Sequence, residues 1–181
     1  QTLDLIDNAQ TSLFVEQMYF KDELTEIQNA IINAHDRGVD VKVLVDESGS
    51  DQAPLNALKS AGISVKVSEE DADAGNYFNT QHNKGIIVDG VTVLVASINW
   101  SPTSLEDNRE AGLVIENSDV ATYYTELFNY DWQSSKNYDS TSHFTSAEQR
   151  ETPDVANSEM EGVFDLTAEP IAAATYTNEF Q

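Results

Sequence analysis

The stretch Gln81-His82-Asn83-Lys84-Gly85-Ile86-Ile87-Val88-Asp89-Gly90-Val91-Thr92-Val93-Leu94-Val95-Ala96-Ser97-Ile98-Asn99 decides the fold. Two short apolar runs, Gly85–Val88 and Val91–Ala96, flank Asp89-Gly90. That dipeptide favours a tight hairpin turn, because both of its residues tolerate positive φ. His82 and Lys84 stand at i and i+2 where the first strand begins, so their side chains share a face. Ser97 and Asn99 have the same spacing where the second strand ends. Joining the strands by a hairpin brings an imidazole, an ammonium, a hydroxyl and a carboxamide into one patch.

Outward from the hairpin, helix-like and strand-like segments alternate. Leu3, Leu5, Ile6 and Ala9 have helical spacing and precede the apolar strand Leu13–Tyr19. Leu24, Ile27, Ile31 and Ala34 mark one face of a helix that ends at Arg37-Gly38, followed by Val39–Val45 with alternating valines. Pro54 opens the next helix, Gly62 closes it, and Ile63–Val67 is another strand. After the hairpin come a strand over Glu110–Glu116 and a helix over Asp119–Trp132, capped by Ser118 or Asp119. This order predicts an α/β fold, an α-β-α sandwich around a mixed, mostly parallel sheet. The pattern fails from Gln133 onward. Residues 1–132 therefore form one domain, and 133–181 read as a polar linker or extended tail, with isolated aromatics such as Phe144, Phe164 and Phe180 as anchors.

Composition narrows the setting. Thirty-two Asp and Glu stand against nine Lys and Arg, a formal charge of -23 spread along the whole chain. Such a surface repels itself in dilute buffer and suits high salt, where the screening length falls to roughly 3 Å at 1 M. It resembles the surfaces of halophilic archaeal proteins. The absence of cysteine excludes disulfides and thiolate metal sites. No apolar run approaches a transmembrane segment. The chain opens at Gln1 without a leader pattern, as a processed protein or a domain of a longer one does. Export and a cytoplasmic location both remain open.

The patch suits an anion better than a metal. Lys84 and Asn99 can donate to the non-bridging oxygens of a phosphate. Their charge and dipole would stabilise a phosphoryl transition state. An imidazole such as His82 can attack phosphorus and leave again. A carboxylate such as Glu110, in Asn108-Arg109-Glu110, could hold the other ring nitrogen. The acidic run Glu69-Glu70-Asp71-Ala72-Asp73 lacks the spacing of a calcium loop and reads as a solvated turn.

His82-x-Lys84-x4-Asp89, then Ser97-x-Asn99 and Glu110, resembles the HKD motif of the phospholipase D superfamily. The likeness extends through Phe14–Phe20, Ala34-His35-Asp36-Arg37-Gly38-Val39 and Val43–Asp46. Ala96 stands where a glycine is common. The resemblance implies a phosphodiesterase needing no cofactor or metal. His82 would form a covalent phosphohistidine, Lys84 and Asn99 would grip the phosphate, Ser97 would support them, and Glu110 would orient His82. Asp89 would be mainly structural, at the hairpin turn. The family uses two such motifs, one histidine attacking and the other protonating the leaving oxygen. Only one is present, since His35 and His143 lack the motif, so the second must come from an identical chain in a homodimer or from another HKD domain. The substrate is a phosphodiester, with a nuclease-like nucleic-acid substrate favoured. The alternatives are a phospholipase or cardiolipin-synthase-like phosphatidyltransferase, one half of a two-motif enzyme, and a non-catalytic binding module.

Overall fold

Alternation along the strands sets which side of the sheet each helix covers. In the computed structural model, which describes residues 1–68, 80–140 and 174–175, β1 (Ser12–Gln17) buries Leu13, Val15 and Gln17 on one face and directs Phe14 to the other. β2 (Asp40–Asp46) repeats this, with Val41, Val43 and Val45 on the first face and Leu44 on the second. Three helices cover the first face: α1 (Thr2–Asn8), α2 (Thr25–Asp36) and α3 (Gln52–Ser60). They supply Ile6, Ile27, Ile31, Leu55 and Leu58 to the larger core. The second face packs against α4 (Ser118–Ser134) through Ala121 and Phe128, with the Phe14 and Phe128 rings stacked at 5.1 Å.

The remaining strands are β3 (Ser64–Ser68), β4 (Lys84–Val88), β5 (Thr92–Ala96), β6 (Gly112–Glu116), β7 (Lys136–Asn137) and β8 (Ala174–Thr175). Their order in the sheet is β7-β3-β2-β1-β4-β5-β6-β8. The α-β-α sandwich and mixed sheet agree with the sequence. Its balance of pairing does not: among the named strands only β1–β2 and β2–β3 pair in parallel, and the other five contacts are antiparallel. The cause is local. From β4 the chain turns by a hairpin into β5 and returns to β6 without the crossover α-helix that parallel neighbours need.

Other boundaries also move. Asp89 and Gly90 take φ of 55° and 66°, the tight hairpin turn the sequence demands. Asn117, rather than Ser118 or Asp119, caps α4, its side-chain oxygen accepting from the amides of Asp119 and Val120. Residues expected to begin a tail stay on the domain. β7 pairs with β3, Lys136 bonds Glu47 at 2.9 Å, and Tyr138 is buried. Thr103–Asp107 form a single π-helical turn that no pattern foretold. The acidic run 69–73, His143, Phe144, Phe164 and Phe180 lie outside the described residues.

Candidate active site

The head of β4 and the end of β5 lie side by side, because Gly85 pairs with Val95. Gly85 is required there: a Cβ on it would stand 2.4 Å from the Leu94 carbonyl oxygen. Immediately before this close approach, Lys84 turns into the sheet and is 7% exposed, whereas His82 remains at the surface. The Lys84 ammonium donates to the His82 carbonyl at 2.6 Å and lies 3.0 Å from His82 Nδ1. An ammonium has no acceptor site, so Nδ1 is the accepting atom in this contact. Burial pulls the Lys84 pKa below its ordinary value, and the nearby Glu110 and Asp46 carboxyl groups partly restore it.

The second half of the patch hangs on the edge of β6. Ser97 exchanges hydrogen bonds with Ala111 and donates to Glu110. Asn108 donates to the other Glu110 oxygen at 3.0 Å. The Ser97 and Asn108 hydrogen bonds hold the Glu110 carboxyl below its usual range. Glu110 is therefore committed to Ser97 and Asn108, and among the described residues its hydrogen bonds do not include one to His82; Lys84 occupies Nδ1 instead. The methyl of Ala96 is accommodated because Gly112 faces it across the ladder. Trp100 anchors the loop, with its ring edge-on to Phe20 at 5.0 Å and its carbonyl accepting from the Lys21 amide.

Asn99 Oδ1 is buried without a hydrogen-bond partner. Leaving such a group unpaired costs about 1–3 kcal/mol, which a ligand donor would recover. The same holds for Oε1 of Gln17, directly across the ladder from Lys84. Asp89 is not brought to this patch. It stands at the other end of β4, about 16 Å away at the usual rise per residue. Its carboxylate accepts from the amides of Gln10, Thr11 and Ser12 and from the Thr11 hydroxyl. Burial raises its pKa, and these hydrogen bonds outweigh that, leaving it below the ordinary value.

Sequence reasoning overlooked a second set of acids. Asp46, fully buried at the end of β2, accepts from the Gly49 amide, the Ser48 hydroxyl and the Gln81 amide. Glu16 accepts from the side chains of Gln81 and Asn83. The available signal was a polar pair, Glu16-Gln17, inside an otherwise apolar strand, which a half-buried sheet does not need. Between this region and α4 lies a cavity of about 340 Å³, lined by Phe14, Glu16, His82, Tyr123, Tyr124 and Phe128 among others.

A mixed sheet that presents His-x-Lys at the head of one central strand and Ser-x-Asn after the next defines a class, and the sequence comparisons agree with it. Residues 2–132 match the family described as cardiolipin synthase, PLD-like domain, and the chain belongs to that family. The Nuc structure of Salmonella typhimurium, a phospholipase D family member, superposes with a TM-score of 0.65 at 32% identity, covering 76% of this chain and 88% of Nuc. Among curated proteins, the mitochondrial cardiolipin hydrolase of Xenopus tropicalis is 33% identical over 134 residues, 71% of this chain and 58% of its own length. A phospholipase D of Rickettsia conorii is 33% identical over 121 residues, 66% of this chain and 56% of its own length. The chain thus spans little more than half of these two relatives.

Proposed function

We propose that this domain is a phosphodiester hydrolase working through a covalent phosphohistidine on His82, with the second histidine supplied by an identical chain. The observation that carries the reading is the exposed His82 ring with the buried Lys84 ammonium 3.0 Å from Nδ1. Lys84 and Asn99 bind the non-bridging oxygens. Nε2 of one His82 attacks phosphorus, a P–N bond forms, and the P–O bond to the leaving alcohol breaks. The partner's His82, as the imidazolium, gives its Nε2 proton to the departing oxygen and becomes neutral, an acid step worth roughly 10²–10⁴-fold. Water then attacks phosphorus, the P–N bond breaks, and the water proton returns to the partner's His82. Attack through Nε2 requires the ring proton on Nδ1, so Lys84 turns from Nδ1 to the phosphate as substrate binds, and the freed N–H faces Glu110, which is near enough to act on Lys84. Ser97 holds Glu110 in place.

A nuclease-like substrate is favoured by the likeness to Nuc, of which the chain covers 88%. A phospholipid is the second reading, favoured by relatives named phospholipase D and cardiolipin hydrolase. The acidic composition supports work in concentrated salt.

The test is turnover of bis(p-nitrophenyl) phosphate, single-stranded and duplex DNA, and phosphatidylcholine by the chain and its His82→Ala variant, in molar salt with EDTA. Activity that survives EDTA and vanishes in the variant is expected, together with a sedimenting dimer. A variant as active as the parent removes His82 from its role, and an active monomer removes the paired-chain mechanism.

A further inference from the structure

One carboxyl group grips both neighbours of the exposed imidazole. Glu16 lies on β1 opposite Gly85. Its Oε1 accepts from Gln81 Nε2 and, at 3.1 Å, from Asn83 Nδ2. Residues 81–83 lie ahead of the β4 ladder, so no strand pairing fixes them. The Gln81 amide is held by Asp46 at 3.1 Å, and the His82 carbonyl by Lys84. On its far side Glu16 is hydrogen-bonded to Asp131 of α4. Two carboxyl groups share a hydrogen bond only when one carries a proton. Burial first, then Asp131, push Glu16 up to about 8, so it is the protonated member at neutral pH. A protonated Glu16 can donate to Asp131 while its Oε1 accepts from the two amides. A glutamine at this position would offer the same pattern of one donor group and one acceptor.

We propose that Glu16 is a positioning residue for His82, acting through Gln81 and Asn83 and braced from behind by Asp131. The inference rests on the reacting role proposed for His82. Its physical content is geometric. An in-line displacement tolerates little error in the nucleophile, and a misplacement near 1 Å costs about 10²-fold. Without Glu16, the side chains flanking His82 lose their shared anchor, and the ring is set by Lys84 and one backbone contact alone.

The test uses the full chain and bis(p-nitrophenyl) phosphate. Glu16→Ala is expected to lower kcat by about 10²-fold with KM changed by less than about threefold. Glu16→Gln restores most of that rate, which a purely bulk-filling role for the side chain would not require. Asn83→Ala, at an exposed position, lowers kcat by about tenfold without moving the thermal midpoint. Combining it with Glu16→Ala gives less than the product of the two effects, because both remove one connection. If Glu16→Ala does not fold, Glu16→Gln, Asn83→Ala and Gln81→Ala still decide the matter. Wild-type kcat in both Asn83→Ala and Gln81→Ala overturns the proposal, as does a Glu16→Gln variant as slow as Glu16→Ala. His82→Ala separates the two levels. If it is inactive while Glu16→Ala turns over normally, only the positioning role fails; if it is fully active, the reacting role of His82 fails first.

Discussion

Gly85→Ala tests the close approach on which the site is built. The added Cβ would stand 2.4 Å from the Leu94 carbonyl oxygen. Ordinary carbon–oxygen contacts lie at about 3.3 Å, so β4 and β5 must separate by about 0.9 Å or the Leu94 peptide must rotate. Sideways relief is blocked, because Gly85 is paired on both edges, to Glu16 of β1 and to Val95 of β5. Overpacking of this kind costs about 1–3 kcal/mol, which for a domain of this size lowers the melting midpoint by roughly 3–10 °C. The same displacement reaches Lys84, one residue away, and through it His82. Turnover per folded molecule should fall by about 10²-fold. The internal comparison is Gly112→Ala, whose Cβ would meet the Ala96 methyl at 3.2 Å, a contact that small shifts relieve. Thermal unfolding followed by circular dichroism and kcat on bis(p-nitrophenyl) phosphate measure both quantities. A Gly85→Ala protein that melts and turns over like the parent would refute the claim that this strand spacing holds the reacting groups in register.

Two further predictions separate structural acids from reacting ones. Asp89→Ala removes the acceptor shared by three amides and places alanine at positive φ, so unfolding free energy should drop by about 1–3 kcal/mol while kcat, measured well below the new midpoint, stays at the parent value. A large loss of kcat in that variant would return Asp89 to the reacting set. Glu16 makes stability depend on pH with a defined sign: its folded pKa of about 8 lies above the ordinary 4.5, so between those values the unfolded chain releases a proton that the folded chain keeps. That contribution is complete below about pH 4.5, declines as pH rises, and is gone above about 8, a loss of about 2–3 kcal/mol after allowing for partial exposure. Urea unfolding at pH 5 and pH 8 should show the parent losing more stability than Glu16→Gln, and equal slopes would contradict the shared-proton pair.

Much of this molecule was legible because its signals are local. Val41, Val43 and Val45 alternate, and they line one face of β2. Gly38 follows a helical stripe and takes φ of 93°. Asp89-Gly90 encodes a turn in two residues, and the turn brings His82, Lys84, Ser97 and Asn99 toward one end of the sheet. What remained hidden depends on contacts distant in sequence or on choices between equivalent residues. Asn117, Ser118 and Asp119 are all competent caps by residue type, and the choice of Asn117 shows only in its bonds to the Asp119 and Val120 amides. Lys136-Asn137 has no strand signature; its pairing with β3 is secured by the Glu47 ion pair and by the burial of Tyr138. Glu16 and Asp131 lie on a strand and a helix far apart in the chain, and nothing in either segment names the other. Parallel pairing was overestimated because alternating helices and strands in the first half do not reveal that the second half returns by a hairpin.

The acidity of the chain and its reacting site are connected through the placement of its few cations. All six lysines lie among the described residues, and each is engaged by the fold. Lys21 pairs with Asp51, Lys42 lies against Asp40 and the Phe14 ring, and Lys136 pairs with Glu47. Lys59 bonds the Tyr138 carbonyl, Lys66 the carbonyls of Trp132 and Ser135, and Lys84 that of His82. Arg37 bonds the Ile6 carbonyl. A protein that tracks a nucleic-acid backbone neutralises several phosphates at once and loses affinity steeply with salt. Lysines committed to carbonyls and carboxylates on separate elements do not form such a track. Under the proposed function, a single phosphate beside His82 would meet Lys84, which is buried and whose charge is little screened by solvent ions. In that arrangement concentrated salt would remove the repulsion among thirty-two Asp and Glu carboxylates while taking least from the proposed phosphate contact.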